Sequence, residues 1–466
     1  RLNYLIRYPH GCIEQTTSSG FPQLFVAKLM KIEAEDKQRI NRNITATIER
    51  LRRFQTSNGG FGYWPGDNYA STWGTNYAGH FMLEAEKLGY ALPPSLLSRW
   101  KKYQKNQAQN WNYGDNRYDN ALTQAYRLYT LALAGAPEIG AMNRLRENNK
   151  ISTQARWRLA LAYAQIGKPE VAADLSSNLK TEVKDYRELS NTYGSGLRDE
   201  AMILETLVAM KEMDKAGNLA RNISKQLSSG KWYGTQTVAY SLLAIGKFVG
   251  NTAVGDEFKF AYQVGNAQSV NAGSNTPIMS IEVPVDANPD KSVSLTNNSG
   301  SVLYATLINT GQPLIGDQTA KAENLRLKVN YLDNEGNNLD VSRLTQGTDF
   351  VAQVTVINPE NRAQRYDEMA LTQVFPSGWE ILNTRMTNIE RFADSDRPEY
   401  QDIRDDRVYS YFDINWNSSM TFTIQLNAAY EGRYYLPTVS CEAMYDRTIS
   451  ARQPGEWVEV VRGGNL

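Results

Sequence analysis

Sulfur and imidazole are scarce in this chain: its 466 residues include two cysteines and two histidines. Cys12, Cys441, His10 and His80 are too few for a disulfide framework or a Cys/His zinc centre, so neither a metal nor a cofactor is expected. Charge of one sign is lacking too, with Lys plus Arg and Asp plus Glu at 50 each. Bulk electrostatics therefore gives nucleic acid nothing to bind. No apolar run reaches the roughly 18 residues of a membrane span. Residues 1–7 lack the apolar core and cleavage site of a signal peptide, and the missing initiator Met points to a piece of a longer protein. What is present, 41% hydrophobic and 11% aromatic residues, suits several globular domains.

The hydrophobic period changes near residue 250. Before it, apolar residues recur at three- and four-residue steps, which predicts helices over 21–32, 37–54, 72–88, 95–107, 120–134, 153–166, 199–213, 216–227 and 235–248. Gly- and Asn-rich breaks separate them. The fullest, Gln55-Thr-Ser-Asn-Gly-Gly-Phe-Gly-Tyr-Trp64, is echoed by Gln109-Asn-Trp-Asn-Tyr-Gly114 and Lys231-Trp-Tyr-Gly234. An aromatic-glycine turn recurring between helices marks a helical-hairpin repeat, and stacked hairpins close into an α/α toroid. After residue 250 the period is two, predicting strands over 258–264, 279–285, 292–295, 303–309 and 325–331, with further ones through residue 444. Asp333-Asn-Glu-Gly-Asn337 reads as a hairpin turn. Spacings near ten residues suit β-sandwich modules, with a boundary near residue 320.

The sharpest chemical signal is Tyr8-Pro-His-Gly-Cys-Ile-Glu-Gln15. A thiol three residues before a carboxamide can attack it, expel ammonia and leave an intrachain thioester. Gly11 lets the backbone bend so that Cys12 and Gln15 meet. The alternative is a buried structural cysteine at a helix N-terminus.

The same segment resembles the thioester signature of the α2-macroglobulin and complement superfamily. Similarity continues through 55–64, 71–75, 232–237 and 239–244, which look like that family's toroidal thioester domain, and through 401–408 and 435–445, which look like its C-terminal macroglobulin-like domain. The style is that of bacterial members, since the cysteines of vertebrate interdomain disulfides are missing. The resemblance implies a multidomain fold. Residues 1–250 would be a terpenoid cyclase-like α/α toroid, the thioester domain. Residues 251–320 would be a CUB-like β segment without its first half, and 321–466 a macroglobulin-like β-sandwich.

It further implies a broad-spectrum endopeptidase inhibitor that traps attacking proteases covalently through lysine amines, and not a turnover catalyst. Cys12 and Gln15 would form the bond, with Gly11, Glu14 and His10 beside it. His10 stands where an aromatic residue is common in the family, and either polarises the thiolate or fills space. Further macroglobulin-like domains would precede Arg1, the bait region would lie elsewhere, and residence would be periplasmic or at the cell envelope. A lipid anchor on the full-length protein is left open. The loop that supplies a histidine in complement-type members would fall at 110–120, which has none, so direct attack by amines is expected.

A thioester must be kept dry. Tyr8, four residues before Cys12, can cover it, and Met444 or Tyr445 can close the gap from the final domain. Neighbours in a strand face opposite ways, so only one of these two would serve; alternatively Met444 belongs to the sandwich's own core. Asp402-Ile-Arg-Asp-Asp406 reads as an ion-paired strand edge, and the helix bearing Lys37 and Arg53 as a solvated face. Two rival functions remain: a polysaccharide-active enzyme with Trp64, Trp73, Trp111 and Trp232 along a sugar cleft, or an adhesive module whose thioester no longer forms.

Overall fold

The structure is a computed structural model that describes residues 8–114, 119–251, 258–283, 292–300, 303–308, 311, 319–382 and 395–463. Among these, the first half is helical: α1 Ile13–Gly20, α2 Val26–Leu29, α3 Ala34–Phe54, α4 Thr72–Lys87, α5 Pro94–Asn110, α6 Ala121–Leu133, α7 Ile139–Arg146, α8 Thr153–Gln165, α9 Pro169–Ser176, α10 Gly196–Ala209, α11 Met213–Leu227 and α12 Thr235–Asn251.

Their packing closes a ring. α1 touches α4, α4 touches α6, and the series runs through α8, α10 and α12, which returns to α1. The helices between them, α3, α5, α7, α9 and α11, lie against these inner helices from outside. Inner helices are buried almost all round, as in α4, where every residue from Trp73 to Ala85 is buried. Outer ones bury a single stripe, such as Ile40, Ile44, Ile48 and Leu51 of α3. Inner and outer layers meet closely. A Cβ on Gly79 of α4 would sit 2.2 Å from the Trp100 ring of α5, and Trp100 Nε1 donates to Thr75 O at 2.9 Å.

Polar side chains start the inner helices. Ser71, Asn120, Ser152 and Ser195 each cap α4, α6, α8 and α10 by accepting the backbone N–H three residues on, at 3.0–3.2 Å. The helix predicted over 21–32 is broken instead. Pro22 opens a 3₁₀ turn, Pro22–Leu24, and Met30 is already extended, bridging to Ile278.

The strands are β1 Phe258–Val264, β2 Val270–Ser274, β3 Val293–Asn297, β4 Lys321–Glu323, β5 Arg326–Leu332, β6 Arg343–Thr345, β7 Asp349–Ile357, β8 Tyr366–Val374, β9 Trp379–Leu382, β10 Tyr400–Arg404, β11 Arg407–Ile414, β12 Ser419–Ala428, β13 Gly432–Leu436, β14 Val439–Ala443, β15 Asp446–Gln453 and β16 Glu456–Val461. β2-β1-β3 make a small antiparallel sheet. Residues 279–283 and 303–308, predicted as strands, are not in one; the rest of those two predictions lies outside the described residues.

The chain divides into two compact units, the helical ring with the small sheet (Arg1–Arg187 and Gly194–Ile308), and Glu188–Tyr193 with Asn309–Leu466. The boundary predicted at 316–320 falls mostly outside the described residues. The second unit stacks β10-β11-β8-β14-β15-β4 against β5-β7-β12-β9, with β13-β16-β6 as a third sheet. Alternation along β7, β8, β11 and β12, with residues of β9 and β16, supplies its cores: Val354, Met369, Phe412 and Phe422 in one, and Phe350, Trp379, Leu426 and Val458 in the other. The Asp333 turn forms as read, with Asp333 N donating to Asn337 O at 2.9 Å. The acidic stretch at 402–406 is a hairpin at a sheet edge in which Arg404 pairs with Asp402 and Arg407 with Asp406.

Candidate functional site

Cys12 stands at the start of α1, at the cap position that serine or asparagine holds in α4, α6, α8 and α10. Its Sγ accepts from Gln15 N at 3.5 Å. Gly11 before it is in the left-handed region, φ +80°, so the chain turns sharply into the helix. A Cβ on Gly11 would lie 2.0 Å from Gln15 Oε1 and 3.0 Å from Gln15 Cδ. The Gln15 carboxamide therefore folds back over the turn that carries Cys12, and residues three apart on a helix share a face. Cys12 is buried and Gln15 half-buried. The other thiol, Cys441, lies in the core of the sandwich, where burial, with a small push from Glu442, raises its pKa far above the usual range.

Three groups that the sequence reading passed over hold this turn. Ile13 N donates to Tyr63 O at 3.0 Å, so the aromatic-glycine turn at 55–64 satisfies an orphan donor of α1. Arg50 of α3 donates from Nη2 to Gly11 O at 2.9 Å and from Nε to Thr16 Oγ1 at 3.1 Å. Thr235, the first residue of α12, donates to both Glu14 oxygens at 3.0 Å. For Arg50 a signal existed, since it flanks the buried stripe of Thr47, Leu51 and Phe54. For Tyr63 and Thr235 nothing local marked the role.

Glu14 is fully buried, and its carboxylate also accepts from Ser18 Oγ at 2.5 Å. Ser18 Oγ lies 3.1 Å from Tyr77 OH, whose pKa burial and the Glu14 charge push well above 10. Glu14 thus ties α1 to α4 and α12. The His10 side chain is exposed, while its carbonyl lies 3.3 Å from Thr16 Oγ1. Tyr8 is 68% exposed. In the second unit Met444 is half-buried, with its N–H on Glu368 O. Tyr445 is buried, and its ring lies 4.6 Å from that of Tyr193.

The ring axis is filled by charge. Glu205 accepts from Arg158, Tyr240 and Lys247, each at 2.7 Å. Lys247 also bonds Glu84, and His80 lies 3.4 Å and 3.6 Å from Glu205 and Glu84 and 3.0 Å from Tyr126 OH. The ligand atoms of His80, Glu84 and Glu205 come within 4.8 Å of one another, but the Lys247 ammonium already bonds both carboxylates. Burial alone would raise the Glu84 carboxyl; attraction to Lys247 and His80 overrides it and holds the pKa at about 2, from an ordinary 4.5.

Because that pKa is lowered on folding, its contribution to stability is complete above about pH 4.5 and is lost as pH falls from there towards 2. The shift corresponds to roughly 3 kcal/mol. Melting temperature should therefore drop between pH 5 and 2, and Glu84→Gln should make that drop shallower; an unchanged slope would refute the assignment. Trp64 and Trp73, offered by the sequence as part of a sugar cleft, are instead buried in the core. Trp73 packs against Tyr126 at 5.1 Å and under Arg198 at 4.6 Å.

Known proteins agree with this architecture from both ends. Residues 1–135 match the A-macroglobulin TED domain and residues 325–447 the Bacterial Alpha-2-macroglobulin MG10 domain. The chain belongs to the bacterial α2-macroglobulin family. Among curated α2-macroglobulins, that of Rickettsia conorii is 24% identical over 461 residues, covering 95% of this chain and 24% of its own length. The chain thus spans about a quarter of the curated α2-macroglobulins it matches. Of solved structures, native Escherichia coli α2-macroglobulin from domain MG7 to the C-terminus superposes with a TM-score of 0.76 at 20% identity, over 98% of this chain and 74% of that one. Salmonella α2-macroglobulin reacted with methylamine gives 0.77 at 20% identity, over 99% and 30%.

Proposed function

We propose that this chain stores a Cys12–Gln15 thioester and is the capturing part of a bacterial protease inhibitor. The observation that carries the reading is the Cys12 turn: a buried sulfur at a helix N-terminus with the Gln15 carboxamide folded back over the same bend. Cys12 Sγ attacks Gln15 Cδ, the C–N bond breaks, and the thiol proton leaves with the nitrogen as ammonia. A lysine amine of an attacking protease then attacks the same carbon. An amide forms, the C–S bond breaks, and the thiol of Cys12 is restored. Each bond is made once, so the chain is a trap and not a turnover enzyme.

The only other histidine besides exposed His10 is His80, which is locked among Tyr126, Glu84 and Glu205 at the ring axis. Direct attack by amines, without an acyl-imidazole, is the consistent route. Family membership supports the inhibitory role, and the methylamine-treated Salmonella relative supports amines as the acceptor class. On the same family grounds the β1–β3 sheet is read as a CUB-like segment and the cell envelope as the place of action. The polysaccharide reading loses its cleft with Trp64 and Trp73 in the core.

Heat tests the bond directly. In an unfolded thioester chain the backbone nitrogen of Gln15 can attack its own activated side-chain carbonyl; the C–S bond breaks and the amide proton goes to the Cys12 sulfur. The ring so formed weakens the Glu14–Gln15 peptide bond, which water then cleaves. Heating should release a peptide ending at Glu14, and prior methylamine should suppress it. Cleavage elsewhere, or cleavage indifferent to amine, would point to ordinary proteolysis and against the thioester.

A further inference from the structure

We infer that Arg50 is a positioning residue for thioester closure, gripping the reactive turn on both sides of the Cys12–Gln15 pair. The inference rests on the thioester reading above and assigns the device that sets the geometry for it. Gly11 precedes Cys12 and Thr16 follows Gln15; the Arg50 guanidinium donates to Gly11 O at 2.9 Å and to Thr16 Oγ1 at 3.1 Å. Thr16 Oγ1 lies in turn 3.3 Å from His10 O and 3.4 Å from Gly11 O. One planar group therefore spans the bend that brings sulfur and carboxamide together. The guanidinium lies over the ring of Phe54 on its own helix, 5.6 Å from the centroid, a cation–π contact that helps to hold the fork in place.

The turn needs such a grip. Gly11 at φ +80° has no side chain of its own to fix that conformation, and glycine leaves it at little cost. Condensation of a thiol with an unactivated amide is slow unless the two are held in near-attack geometry, and much of the advantage of an intramolecular reaction lies in that holding. A charge-assisted hydrogen bond to the Gly11 carbonyl keeps the bend. Arginine suits the task because its rigid fork reaches two acceptors at once; lysine offers a single point charge.

The test compares Arg50→Ala and Arg50→Lys with the wild-type chain, counting thiols released by methylamine. Ile48→Val serves as control, a buried change on the same helix that lowers stability through packing alone. Melting temperatures are measured in parallel on the same changes in a Cys12→Ala background, where no thioester can form. The expected result is a fall in amine-released thiol of at least about threefold in Arg50→Ala, a smaller fall in Arg50→Lys, and wild-type yield in Ile48→Val.

Wild-type yield in Arg50→Ala would overturn the inference. So would a loss that tracks melting temperature equally in Ile48→Val, since that is what a merely structural arginine would give. Should Arg50→Ala fail to fold, Arg50→Lys decides, with full yield overturning the role. If the wild-type chain itself releases no thiol, the thioester reading falls first and the role of Arg50 with it.

Discussion

Gly11→Ala should give a chain that folds and carries no thioester. Two effects add at this one position. An L-residue at φ +80° is strained by about 1–2 kcal/mol. The new methyl would also lie 2.0 Å from Gln15 Oε1, closer than any non-bonded contact allows, so the carboxamide must leave the bend. Gly66→Ala separates the two effects. Its φ is +90° and the space around its Cβ is open, so it carries the strain without the clash. Gly66→Ala should lose the stability that the strain costs and Gly11→Ala at least as much, while amine-released thiol disappears in Gly11→Ala and stays near wild type in Gly66→Ala. Full release from Gly11→Ala would show that the carboxamide does not use this space.

Lys247→Met should produce the largest loss of stability of any single change at the ring axis. Lys247 bonds Glu84 of α4 and Glu205 of α10 from α12, so it fastens three inner helices at the centre. Both carboxylates are almost wholly buried, and removing their shared cation leaves them short of compensation. Breaking a buried ion pair by deleting one partner costs about 3–5 kcal/mol. The double variant Lys247→Met with Glu84→Gln should recover part of that cost, because the orphaned charge is gone. A melting temperature unaffected by Lys247→Met would mean that water reaches this network in solution.

Cys12 and Gln15 were legible as a candidate pair because the chemistry proposed for them is local: thiol, bend and carboxamide fall within one helical turn. The helix that carries it was not, for a physical reason. α1 turns Glu14, Thr16, Thr17 and Ser18 inward, so no apolar period betrays it. The same applies to the axis, where His80, Glu84, Arg158 and Glu205 occupy positions that hydrophobic patterning reserves for leucine. Apart from the His80–Glu84 contact, their partners stand far apart in sequence, and nothing near Glu84 announces Lys247.

The closure into a ring could be read from recurring aromatic-glycine breaks between periodic helices. α7 and α9, eight residues each, were too short to show a period. β2, Val-Asn-Ala-Gly-Ser, lacks alternation altogether. The strands of the sandwich were clearest where one face is buried, as in β11 and β12, whose residues alternate strictly inward and outward over most of their length.

A Cys12–Gln15 bond in the freshly purified native chain is read out by thiol titration in mild denaturant with and without methylamine. Of the two cysteines, one should titrate before amine, Cys441, and both afterwards. The untreated chain should be lighter than its sequence by one ammonia, and the treated chain should carry methylamine on Gln15. Two thiols before any amine is added, with Gln15 an unmodified amide, would contradict such a bond.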